Sequence, residues 1–132
     1  MCIPGEIEHP RRFRQKVLFS GMRYKNVTPT DIDGFIEIRN KAYIFFELKH
    51  KSKECELGQK LALERLVDII PLPAIAIIAE HDTDKTADGI MARMAIVREY
   101  RLKRSWEKPT WPINLDQIIR WFLRENQLGE YA

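Results

Sequence analysis

The chain has 132 residues, 45% of them apolar and 31% charged, the proportions of an ordinary water-soluble domain. That length predicts one domain, residues 1–132, with a core of its own and no room for a second. A membrane span is not expected, because the longest apolar run, around residues 69–79, is broken by Pro71 and Pro73.

In chain order, residues 10–20 read as a short helix, with Phe13 and Val17 four apart and Gly21 placed as its stop. Residues 31–38 and 42–48 read as two strands around the turn Arg39-Asn40-Lys41. Residues 50–56 are a charged loop. Residues 57–70 form the clearest helix, with Leu63, Leu66, Val67 and Ile70 on one stripe and Gln59 near its start. Residues 72–79 are almost wholly apolar, as suits a strand buried on both faces. The polar run HDTDKTADG reads as a loop. Residues 90–97 and 98–105 read as strands or one bent strand. Asn114 opens a last helix, with Gln117 completing a capping box and Ile118, Ile119, Phe122 and Leu123 on its apolar face. This order predicts an α/β fold, a mixed central sheet flanked by helices.

The N-terminal residues 1–12 lack the apolar stretch of a signal peptide. Cys2 and Cys55 are far apart and make no disulfide framework, so a reducing, intracellular setting is expected. The net charge is only +3, but it is unevenly spread. Arg11, Arg12, Arg14, Lys16, Arg23 and Lys25 have no acidic residue among them. Arg98, Arg101, Lys103, Arg104 and Lys108 are interleaved with Tyr100, Trp106 and Trp111. Basic clusters with aromatics suit a polyanion such as nucleic acid. A solvated face of a mildly basic protein carries the same pattern.

The hairpin holds the chemistry. Strand side chains alternate between faces. With a three-residue turn at Arg39-Asn40-Lys41, Phe35 falls opposite Phe45, Ile36 opposite Ile44 and Ile38 opposite Ala42. The same register sets Asp33 opposite Glu47 and Asp31 opposite Lys49. A two-residue turn mixes the apolar and charged faces. Opposed carboxylates have Cβ atoms roughly 5 Å apart, so bare anions there repel and one takes up a proton. A divalent cation removes the conflict with the hard oxygen ligands that Mg²⁺ prefers. Surface ion pairs of little energetic weight fit the same spacing.

Asp33, thirteen residues, then Glu47-Leu48-Lys49 resembles the signature of the PD-(D/E)XK, or restriction-endonuclease-like, nuclease superfamily. GQKLALERL after it is similar to the glutamine-bearing helix of several branches, Holliday-junction resolvases and small virus-type nucleases among them. The likeness covers residues 10–80 and fades in the C-terminal third. It implies a restriction-endonuclease-like core and a Mg²⁺-dependent DNA endonuclease, with Mn²⁺ as a possible substitute. It assigns Asp33, Glu47 and the Leu48 carbonyl to the metal, Lys49 to the nucleophilic water, and Gln59 to the site or the DNA backbone. Pro29 precedes Thr30-Asp31, so Asp31 competes with Asp33 as first acid; the pairing with Glu47 favours Asp33. Arg11, Arg12, Arg14, Lys16, Arg101, Lys103 and Arg104 are the matching nucleic-acid contacts. Small size favours a structure-directed enzyme of junction resolution, repair or recombination, acting as a homodimer because one site cuts one strand. The alternative is a non-catalytic nucleic-acid- or partner-binding module on the same fold.

Other motifs carry less. HDTDKTADG has Ala87 where a calcium loop needs its central glycine, and no closing glutamate. His50, Cys55 and His81 lack paired zinc-ligand spacing. Trp106 and Trp111 stand beside prolines near a helix start, where packing is the commoner role and base stacking the rarer one.

Overall fold

The computed structural model describes residues 18–132, which belong to two compact units dividing between Thr30 and Asp31. The helix expected over residues 10–20 lies mostly outside the described residues, as do Arg11, Arg12, Arg14 and Lys16; Leu18, Phe19 and Ser20 are not helical. In the first unit Gly21 takes a left-handed φ of 82° in a turn closed by Met22 N–H on the Phe19 carbonyl at 3.0 Å. Tyr24 and Val27 then exchange a reciprocal pair of backbone hydrogen bonds, 2.8 and 3.1 Å.

The second unit is a five-stranded mixed sheet in sequential order, β1 (Gly34–Ile38), β2 (Ala42–His50), β3 (Ala74–His81), β4 (Ile96–Arg101) and β5 (Trp106–Glu107). Helix α1 (Leu57–Ile69) connects β2 to β3, and α2 (Leu115–Glu125) follows β5, with a 3₁₀ turn at Gly129–Tyr131 after it. Strands β2 and β3 are parallel, and every other neighbouring pair is antiparallel. A parallel pair needs a crossover longer than a turn, and α1 supplies it.

Sequence alternation sorts the two cores. Phe45, Ala74, Ala76 and Ile78 face α1 and pack on Leu63 and Val67, the helix's buried stripe. Ile44, Ile75, Ile77 and Val97 face α2 and pack on Leu115, Ile118, Phe122 and Leu123. Burying a side chain the size of Phe122 contributes about 2–3 kcal/mol. Strand β3 is central, and Ala74 through Ala79 are all buried, as its apolar run predicts. The α2 start is the expected capping box: Asn114 Oδ1 accepts from Gln117 N–H at 2.8 Å, and Gln117 Oε1 accepts from Asn114 N–H at 2.9 Å.

The hairpin register is the expected one, with Phe35 opposite Phe45, Ile36 opposite Ile44 and Ile38 opposite Ala42. Arg39 and Asn40 both take positive φ, 43° and 61°, as a tight turn requires. Strand β1 is shorter than expected, and the ladder ends at Gly34 opposite Phe46. Residues 90–95 are a correction. They form a loop with a 3₁₀ turn at Ala92–Met94, because β3 ends at His81 and offers no strand upstream of Ile96 to pair with. The second expected strand, over residues 98–105, is shorter than expected. It ends at Arg101, residues 102–105 turn back through Arg104 at φ 76°, and β5, beyond the expected range, pairs antiparallel with β4.

Candidate metal centre

The C-terminal end of β2 carries Glu47 and Lys49 on the face covered by α1. Glu47 is 3% exposed, a carboxyl sunk into the edge of the apolar layer. Its Oε1 accepts from Gln59 Nε2 at 2.7 Å and lies 3.6 Å from Lys49 Nζ. Gln59 sits in the first turn of α1, so the helix that covers the sheet also delivers this donor. Glu47 Oε2 is buried and has no hydrogen-bond partner. Buried polar atoms are nearly always paired, so an orphan carboxylate oxygen marks a place for a ligand.

Asp33 stands just before β1, where the ladder has ended. Its Oδ2 accepts from Leu48 N–H at 2.7 Å. A strand residue's N–H and C=O point to the same edge, so the Leu48 carbonyl is also directed past the end of β1, toward Asp33. At the start of β1 the Phe46 ring occupies the space over Gly34, where a Cβ would lie 2.0 Å from it. A glycine inside a strand pattern is the sequence signal of such a close approach.

Burial pushes the Glu47 carboxyl up to about 7, helped by the negative charge of Asp33, while Lys49 pulls the other way. Among the described residues no three His, Cys, Asp or Glu side chains gather as a complete cation cage. Two carboxylates and a carbonyl are instead a donor set that Mg²⁺ accepts, since it keeps several waters and shares its sphere with substrate phosphate.

The remaining expectations divide. Asp31 precedes β1, is exposed, and is not set opposite Lys49 by the sheet. Arg101 does not face outward for nucleic acid. It is 8% exposed and makes a two-pronged ion pair with Asp68, Nε to Oδ1 at 3.0 Å and Nη2 to Oδ2 at 2.6 Å. Lys103 donates its ammonium to the Ile70 and Leu72 carbonyls, just past the end of α1. Arg104 is exposed, and its backbone N–H bonds Asp68. Asp68 is nine residues along α1 from Gln59, about 14 Å, so this basic group lies at the other end of the helix from Glu47.

Trp106 is packed, with Nε1 on Glu64 at 2.8 Å and Lys60 Nζ 5.0 Å from its ring centre, whereas Trp111 is 80% exposed. His50 and His81 meet edge to face at 5.5 Å, while Cys55 lies near Gln59, with burial pushing its thiol up. In the 81–89 loop Asp84 accepts from the Thr86 N–H and hydroxyl, a local turn. Two ion pairs beside the site were not anticipated: Lys60 with Glu99 at 2.6 Å and Arg98 with Glu80 at 2.8 Å. Each spans elements far apart in sequence, which leaves no local signal.

Comparison with known proteins gives no significant match to a family model, a curated protein or a solved structure.

Proposed function

We propose that the unit spanning Asp31–Ala132 is a metal-dependent nuclease on a restriction-endonuclease-like core, hydrolysing DNA phosphodiester bonds. The observation that carries this reading is the buried, partnerless Oε2 of Glu47 beside the Asp33 carboxyl. Asp33, Glu47 and the Leu48 carbonyl would hold Mg²⁺, or Mn²⁺ in its place. Bound there, the ion supplies an activated water and offsets charge on the phosphate. Gln59 holds Glu47 through Oε1 and so leaves Oε2 for the ion. Lys49 orients the attacking water and neutralises phosphate charge as the bond breaks. Two copies working together would cut both strands, and the substrate would be selected by shape, since Arg101 and Lys103 are engaged within the fold. Two distant cysteines fit a reducing intracellular setting.

The test is cleavage of labelled duplex, single-stranded, flap and four-way-junction DNA with Mg²⁺, Mn²⁺ or chelator, for wild type, Glu47→Gln and Lys49→Ala. Metal-dependent cutting by wild type that both variants lose is expected. Salt-sensitive binding without cutting on any substrate overturns the nuclease reading and leaves a binding module.

A further inference from the structure

Phe35 is 55% exposed in the middle of β1, while Ile36 and Ile38 on the opposite face pack against the α2-side core. Its ring is nonetheless held in place. It lies parallel to Phe45, centres 5.0 Å apart and planes within 8°, and parallel to Tyr43 at 6.2 Å and 3°. Strand β1 is the edge of the sheet, so one ring face meets Phe45 and the other looks out beyond the edge. Phe45 and Glu47 point to the same face of β2 two residues apart, about 7 Å along the chain. Phe35 pairs with Phe45, so the aromatic pair and the Glu47 carboxyl are successive steps on one surface.

We propose that Phe35 is a stacking platform for an unpaired nucleobase next to the carboxylate pair, so the nucleic acid taken here is locally single-stranded. This rests on the nuclease reading for the position of the phosphate. A base beside that phosphate reaches the ring, and its π-face stacks whatever its identity. A base inside a duplex has both faces covered by its neighbours and must first leave the stack. A second copy of this chain is the competing occupant of an exposed sheet edge. Antiparallel docking centred on Phe35 would set Asp33 of one copy against Glu37 of the other, a like-charge pair that disfavours it.

The experiment pairs two readouts on wild type, Phe35→Ala and Phe35→Trp. One is Mg²⁺-dependent cutting of single-stranded and flap DNA against fully paired duplex. The other is quenching of 2-aminopurine in a single-stranded oligonucleotide, with Ca²⁺ replacing Mg²⁺. Phe35→Ala should lose about 10-fold on single-stranded and flap DNA, stay within about 2-fold on duplex, and lose the quench, with Phe35→Trp restoring both. Equal losses on every substrate, or a quench unchanged in Phe35→Ala, overturn the platform. Wild type that quenches without cutting keeps the platform and removes the nuclease reading. Wild type that cuts without quenching does the reverse. Self-association abolished by Phe35→Ala, with no quench, gives the edge to a second copy and overturns the proposal.

Discussion

Two charged side chains are buried among the described residues, Glu47 and Arg101, at opposite ends of α1. They are treated differently. Arg101 meets a carboxylate of opposite sign and geometric match, so its charge is offset within the fold. Glu47 meets a second acid, keeps one oxygen unpartnered, and takes only a lateral ammonium and an amide on the other. A buried charge that is fully paired serves the architecture. One left partly unpaired at an open sheet end is held ready for something that arrives.

The contrast breaks most sharply under substitution. Glu47→Gln should lower metal-dependent cleavage at least about 10³-fold while leaving the melting temperature near pH 8 equal or higher, since it removes a buried charge conflict. Arg101→Ala should do the opposite and lower stability by about 2 kcal/mol in denaturant titration, without changing the metal concentration needed for half-maximal activity. Lys49→Ala should slow cleavage about 10²-fold with metal binding retained, which places it on water and phosphate and not on the ion. Gly34→Ala forces a Cβ into the Phe46 ring and should cost about 1–3 kcal/mol.

The last effect is in pH. The Glu47 carboxyl is raised from 4.5 to about 7, so the folded protein holds a proton that the unfolded chain releases in that window. Metal-free stability should be full below about 4.5 and decline by on the order of 2 kcal/mol as pH rises through 7. Glu47→Gln should flatten the curve. Asp68 runs the other way: hydrogen bonds from Arg101 lower its carboxyl, so its contribution is present above the ordinary aspartate range and fades on further acidification.

The hairpin register was legible because only one turn length sorts Phe35, Phe45, Ile36 and Ile44 cleanly; the ladder stops at Gly34 opposite Phe46, one residue short of the expected Asp33–Glu47 pair. Gln59 was singled out only by the resemblance of GQKLALERL to a glutamine-bearing helix, and it donates to Glu47. The loop at residues 90–95 was not, because its apolar residues suit a strand and only the length of β3 denies it a partner. Arg101 was misread as a surface cation because Asp68, the residue that buries it, is 33 positions away. Spacing shows which residues share a face; it does not show which charges the fold consumes.

The central claim is that Asp33 and Glu47 hold a divalent cation, and calorimetric titration of Mn²⁺ at pH 6.5 in two buffers of different ionisation enthalpy tests it most directly. The account predicts one saturable ion per chain, released protons, and loss of binding in Glu47→Gln and Asp33→Asn. Binding that survives both substitutions, or no binding by wild type, contradicts it.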